Sequence, residues 1–437
     1  MPPTAHRPAY SAEAAASAAK AGPPAGVKRL AILGSTGSIG TSALQVAGGL
    51  RDIVRVEALA AGTSWQKLAG QYEAAGRPRL LAMADADSAR RLERELGLAA
   101  GTVLVGEEGV RRIASDPDVD VVLTAMVGAQ GLGPTLAAVE AGKTVAIANK
   151  EPLVMAGSLV MAAAEKSGAT ILPVDSEHSA VFQLLGARDE GRGTGLSATS
   201  SALRPSPPVP FSRIVLCASG GPFRTWPAER IARASVADAL NHPTWDMGRK
   251  ITVDSATLIN KALEVIEAHW LFGADFDRIG VLIQPQSLVH AMVELSDGTM
   301  LAHLGAPDMC VPIQYAFTWP ERRTFSGGRS LTVGDLAGLS FEEPDLERFP
   351  GLELGYRAGR AGGTAGAVLN GANEEAVRAF LSHRIGFTDI VRVVDRVLSG
   401  WKGSFAARTL KDVLEADTLS RRAARERISR SRRPSST

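Results

Sequence analysis

A short apolar run at residues 29–33 stops at Gly34-Ser35-Thr36-Gly37-Ser38-Ile39-Gly40, and a helical pattern begins at Thr41. A strand that turns on closely spaced glycines into a helix restricts the chain to few architectures, because it is the opening unit of a parallel sheet covered by helices. Buried-strand patterns at residues 55–61, 120–124, 144–148 and 170–174 extend that sheet, with helix-like segments between most of them. The fold class expected is α/β, beginning with a Rossmann-like dinucleotide-binding domain.

In such a unit the glycines let the backbone approach a pyrophosphate, while the helix N-terminus supplies unpaired N–H groups and a partial positive charge. Gly34, Gly37 and Gly40 fit that role, although their G-x-x-G-x-x-G spacing is not the commoner one and a purely structural turn remains open. The second strand ends in Ala61-Gly62-Thr63-Ser64, with no carboxylate to hold a ribose 2′-hydroxyl. Thr63 and Ser64 can donate to a 2′-phosphate, which favours NADPH over NADH, or they can simply form a turn.

At 437 residues the chain exceeds what one core supports, so two or three domains are expected. Forty-eight Lys and Arg against 46 Asp and Glu leave a net charge of +2, which excludes a dedicated nucleic-acid binder and makes any phosphate recognition local. No apolar stretch reaches the length of a membrane span, and the Ala- and Pro-rich leader at 1–28 lacks a secretory core, so a cytoplasmic protein is expected. Cys217 and Cys310 are too few for a disulfide framework and read as core residues. Residues 188–210, rich in Gly, Ser, Thr and Pro, read as a surface loop. Helical patterns resume near Leu352, and the segment from Arg421, with seven arginines against one glutamate, reads as a frayed, solvated terminus.

Two carboxylates, Asp175 and Glu177, stand at i and i+2 after a strand; an extended segment would project both to one side, where they can chelate a hard cation or simply face water. Residues 253–264 read as one helix whose period continues beyond Glu264, so that Ile259, Leu263, Ile266 and Trp270 form an apolar stripe. Asn260 and Lys261 share another face with Glu264. Ser255 at the helix start, with that amide and ammonium, can hold a phosphate while Glu264 reaches a metal; an ordinary surface helix also carries Lys and Glu. Ser219-Gly220-Gly221 offers a hydroxyl and backbone amides to an anion. Between His242 and Lys250 lie a histidine, the aromatic Trp245 and the cations Arg249 and Lys250.

Taken together, GSTGSIG, the ANKE of Ala148 to Glu151, PVDSEH, SGGPF, HPTWDMGRKITVDSATLINKALE and the LGAPDM of Leu304 to Met309 resemble the 1-deoxy-D-xylulose 5-phosphate reductoisomerase family. The resemblance implies a homodimer that uses NADPH and Mg²⁺, Mn²⁺ or Co²⁺ to rearrange and reduce a small sugar phosphate. It implies metal ligands at Asp175, Glu177 and Glu264, and a phosphate clamp of Ser219, Ser255, Asn260 and Lys261. Lys150, Ser176 and His242 would contact the sugar, Lys150 sharing the catalytic work with the three carboxylates, and Trp245 would be the lid aromatic. Nucleotide contacts would fall on Thr36, Gly37, Ser38, Ile39, Gly62, Asn149, Glu151 and Gly248, beside Thr63 and Ser64.

The boundaries expected are a leader at 1–28, a nucleotide-binding domain at 29–174, and an α+β catalytic and dimerisation domain with a flexible lid at 175–320. A linker at 321–345, a helical bundle at 346–425 and a basic tail at 426–437 follow. Five positions depart from the family pattern. Thr63-Ser64 replaces a basic-Asn pair, Pro152 a small polar residue, Gln284 a histidine and Cys310 an arginine.

Overall fold

The computed structural model describes residues 26–186, 210–324, 327–401 and 407–430. The leader up to residue 25, the loop expected at 188–210 except Pro210, and the last seven residues of the tail lie outside the described residues. Seven strands form the first sheet: β1 (Lys28–Leu33), β2 (Val54–Ala61), β3 (Leu80–Met83), β4 (Leu104–Val105), β5 (Val121–Thr124), β6 (Thr144–Ile147) and β7 (Thr170–Pro173). They pair in parallel in the order β4-β3-β2-β1-β5-β6-β7. Leu30 to Leu33 are wholly buried, as strands covered by helices on both faces must be. β4 escapes the sequence reading because two residues are too short to show a period, and β3 was missed although its apolar run is as long as those of β5 to β7.

The chain passes from β1 to β2 on one side and returns to β5 on the other, so the sheet order reverses beside β1. Ligands of doubly wound sheets bind at the carboxyl ends of the strands at this switch point. The glycine turn stands there.

A second, four-stranded sheet comprises β8 (Phe211–Ala218), β9 (Ile279–Ile283), β10 (Val289–Leu295) and β11 (Met300–Leu304) in the order β11-β10-β8-β9. Only β8 and β9 pair in parallel. The C-terminal helices Gly351–Ala361, Ala365–Leu381, Phe387–Ser399 and Leu410–Arg430 pack around the buried Ala365–Leu381. The chain is thus a mixed α/β protein with a Rossmann-like first sheet, a second sheet and a helical C-terminal region.

The frayed terminus expected from Arg421 is corrected for residues 421–430, which continue the last helix with Ala424 and Ile428 buried. Its arginines have fixed partners: Arg421 lies 2.8 Å from Glu374 and 2.7 Å from Asp417, and Arg425 lies 3.0 Å from Glu375. A run of like charge is stable on a helix when a neighbouring helix supplies the opposite charge.

Candidate active site

The glycine turn separates two demands. Gly34 has φ of +91°, and a Cβ there would lie 2.4 Å from Ala125 O; one on Gly40 would lie 2.4 Å from Gly34 O. The protein's own packing therefore requires both glycines. Gly37 is different: its φ is an ordinary −72°, and a Cβ there would meet nothing closer than Gly34 O at 3.3 Å. It is the N-cap of the helix Ser38–Gly49 and has no side chain to receive the first N–H groups, which leaves a cradle that a Cβ would partly fill. The residues present fit a dinucleotide phosphate.

Ser38 and Ile39 also line a cavity of about 310 Å³ that the charged residues share. One oxygen each from Asp175, Glu177 and Glu264 lies within 4.8 Å of the others. Lys150 Nζ stands 2.7 Å from Asp175 Oδ2 and donates to Glu264 Oε1 and Asn260 Oδ1, both at 2.8 Å. Lys261 Nζ donates to Glu177 Oε1 at 2.7 Å and to Cys217 O at 2.6 Å, and also pairs with Glu264. Burial alone would discharge Lys150, but Asp175 and Glu264 overcome it and hold the ammonium well above its usual range. Burial and then the facing Glu264 push Glu177 upward, against the pull of Lys261. Three carboxylates against two ammoniums leave negative charge uncompensated, and every donor is a hard oxygen, so the set fits Mg²⁺ or Mn²⁺.

At the other end of the cavity His242 Nδ1 accepts from Thr244 N at 3.2 Å and Trp245 N at 3.0 Å, which leaves Nε2 to carry the proton. That nitrogen faces Ser219 Oγ at 3.0 Å and Ser255 Oγ at 3.2 Å. Burial holds the imidazole pKa down to about 4, so it is neutral near pH 7. Two hydroxyls and a neutral N–H thus converge without a competing negative charge.

Two local expectations are corrected. Asp175 and Glu177 do not share an extended strand: β7 ends at Pro173, Asp175 O accepts from Ser179 N at 2.8 Å, and Glu177 lies in the first turn of the helix Ser176–Gly186. Residues 253–264 are not one helix, and Ser255 is not at a helix start. The helix Arg249–Ala256 ends there, Leu258 takes a left-handed φ of 58°, and the helix Ile259–Phe272 begins. A leucine in that region costs about 1–2 kcal/mol and persists only where its surroundings enforce it. The break lets Ser255 face the serine end while Asn260, Lys261 and Glu264 face the metal end.

Of the residues singled out from the sequence, Ser38, Ile39, Lys150, Asp175, Ser176, Glu177, Ser219, His242, Trp245, Gly248, Ser255, Asn260, Lys261 and Glu264 line this one cavity. Thr36, Gly37, Gly62, Thr63 and Ser64 lie outside it along the glycine turn and the end of β2. Asn149 and Glu151 are not among its lining residues: Asn149 is buried beside Gly131 with its amide atoms unpartnered among the described residues, and Glu151 pairs with Lys250 at 3.0 Å. Lys250 also pairs with Asp254 at 2.8 Å, and Asp254 accepts from Asn373 of the C-terminal helices at 2.8 Å.

Several lining residues were missed, among them Ser42, Met247, Ile251, Asp308 and Met309. LGAPDM was the available signal for the last two. Glu267 was also missed, though it follows Glu264 by one helical turn; it lies behind the cluster, 3.6 Å from His178 Nδ1, where burial and then Asp175 push it well above the carboxylate range. Three departures have structural explanations. Pro152 stands in the first turn of its helix, where no N–H is needed. Gln284 is buried and accepts from Leu288 N at 2.8 Å, and Cys310 is buried at the start of the helix Cys310–Thr318.

Family models described as 1-deoxy-D-xylulose 5-phosphate reductoisomerase match residues 30–157, as its C-terminal domain residues 171–272, and as the DXP reductoisomerase C-terminal domain residues 304–423. A reductoisomerase of that name from Heliobacterium modesticaldum is 50% identical over 411 residues, covering 93% of this chain and 99% of the relative. One from Geobacter metallireducens is 48% identical over 402 residues, covering 92% and 99%. Among solved structures, a DOX-P reductoisomerase in complex with NADPH, fosmidomycin and magnesium superposes with a TM-score of 0.84 at 41% identity, covering 92% of this chain and 98% of the other. The Zymomonas mobilis reductoisomerase with NADPH gives 0.80 at 37%, covering 92% and 99%.

Proposed function

The chain belongs to the 1-deoxy-D-xylulose 5-phosphate reductoisomerase family, and we propose from its geometry which residues carry the family's reaction. It is an NADPH- and divalent-metal-dependent oxidoreductase that rearranges and reduces 1-deoxy-D-xylulose 5-phosphate to 2-C-methyl-D-erythritol 4-phosphate in isoprenoid precursor synthesis. Asp175, Glu177 and Glu264 hold the metal, Mg²⁺ or equally Mn²⁺ or Co²⁺, which supplies Lewis acidity toward neighbouring substrate oxygens when bound.

Ser219 and Ser255, oriented by the neutral His242, hold the substrate phosphate with Asn260 and Lys261. Lys150 keeps its proton and directs it at oxygens near the carboxylates, where charge develops as the carbon–carbon bond shifts. Ser176 and His242 border the sugar, and Trp245 covers the cavity against water. Thr36, Gly37, Ser38, Ile39, Gly62, Thr63, Ser64 and Gly248 take the nucleotide, with Asn149 and Glu151 supporting the adjoining turn. The observation that carries this reading is that one cavity is lined by the start of the glycine-turn helix, by the serines and by the three clustered carboxylates.

The test follows NADPH absorbance with 1-deoxy-D-xylulose 5-phosphate, with and without Mg²⁺, and identifies the product by mass and NMR. Metal-dependent oxidation yielding the branched product is expected; oxidation without rearrangement, or none at all, would remove the proposal.

The domain division at 29–174, 175–320 and 346–425 is proposed on the parallel sheet, the mixed sheet and the C-terminal helices. A homodimer is supported by the edge strand β11, which pairs with β10 alone among the described residues and whose Met300 and Leu304 expose apolar side chains; sedimentation would measure its mass. A cytoplasmic location is supported by two buried, free cysteines.

A further inference from the structure

Resting on the NADPH reading above, we infer that Lys67 is the residue that recognises the ribose 2′-phosphate and so sets the preference for NADPH over NADH. In a doubly wound fold the adenosine ribose lies between the glycine turn and the end of the second strand. Here β2 ends at Ala61, and Thr63-Ser64 brings no charge to that place. The helix Trp65–Ala74 begins next, without an acidic residue in its first turn and with the Ser64 hydroxyl making no capping bond.

One face of this helix is pinned to the glycine turn. Gln71 is buried, accepts from Ser35 Oγ at 2.8 Å and donates to Ser35 O at 2.8 Å. Lys67 stands one helical turn earlier on that face, at i−4, where the contact opens to solvent. Its Nζ donates to Thr36 O at 2.8 Å and so spans the gap between the helix and the glycine turn. No carboxylate among the described residues forms an ion pair with it. An ammonium has three donors, so Lys67 can keep Thr36 and still donate to a phosphate oxygen. The Ser64 hydroxyl, at the N-cap of the same helix and making no capping bond, is a further donor available to that phosphate.

A cation placed this way distinguishes the two cofactors because NADH has a neutral hydroxyl where NADPH has a phosphate. The sequence hides it, since Lys67 lies three residues past the pair where a basic residue is looked for. Only the helix brings it back to the ribose position.

The experiment measures dissociation constants of NADPH, NADH and 2′,5′-ADP by calorimetry for the wild type, Lys67→Gln and Lys67→Arg, with thermal melting as a folding check. Lys67→Gln is expected to weaken NADPH and 2′,5′-ADP about tenfold, with NADH within about twofold and melting unchanged, and Lys67→Arg to restore the preference. Equal weakening of NADPH and NADH by Lys67→Gln would reduce Lys67 to a brace for the turn and overturn the inference, as would no effect on either. A wild-type protein that binds NADPH no better than NADH would overturn the NADPH reading and this inference with it.

Discussion

The nucleotide end of the cavity and its metal–phosphate end are built from different materials. At the glycine turn the working groups are backbone N–H groups and the space left by Gly37, so the site follows from the path of one short segment. At the metal end they are side chains from separate elements: Lys150 after β6, Asp175 and Glu177 after β7, and Asn260, Lys261 and Glu264 on the helix Ile259–Phe272. Apart from Lys67, which reaches the turn from the next helix, the first end is insensitive to side-chain identity except where a Cβ intrudes. The second loses its balance of charge if any one member changes.

The sharpest way to break this contrast is Glu264→Gln, which keeps the shape and removes one charge. Turnover should fall on the order of a thousandfold, and Mg²⁺ affinity should fall with it, while circular dichroism stays native. Retained metal affinity in that variant would show that the carboxylates do not act as one ligand set.

Lys250→Met tests whether the charge argument reaches beyond the cavity. It leaves Glu151 and Asp254 buried without their cation, and denaturant unfolding should report a loss of about 3 kcal/mol. A loss below about 1 kcal/mol would mean that Asn373 and other neighbours suffice.

Gly37→Ala probes the backbone end. The methyl group would meet only Gly34 O, at 3.3 Å, which has to give slightly, so melting should fall little, while NADPH affinity should drop about tenfold as the approach to the turn narrows. Unchanged affinity would reassign the turn to structure alone.

The smallest effect concerns pH. The folded pKa of His242 lies near 4, below its unfolded value of about 6.5, so the unfolded chain takes up the proton first. Stability is therefore whole above pH 6.5 and is lost as pH falls from there toward 4. Between those limits the wild-type melting temperature should drop a few degrees more than that of His242→Asn; parallel curves would show that His242 does not contribute.

Much of this was legible in the sequence where neighbouring residues do the work. The glycine turn, five of the seven parallel strands and the C-terminal helices are local patterns, and the long motifs carry the family resemblance. Local reading failed where packing overrode it. Asp175 and Glu177 looked like strand neighbours, and residues 253–264 looked like one helix until Leu258 broke it. Arg421 and Arg425 looked solvated because Glu374 and Glu375, which pair with them, lie about fifty residues earlier, on another helix.

By itself the sequence determined the dinucleotide-binding unit, the residue types available for a hard metal and a phosphate, and the α/β class, because each depends on composition and period over a few residues. The tertiary structure alone decided that the cluster is one charge-coupled set, that Glu151 faces Lys250, and that Lys67 returns to the glycine turn. Those facts depend on distances between segments far apart in the chain. Such distances are set by which faces of the helices and sheets are buried together, and no local pattern encodes them.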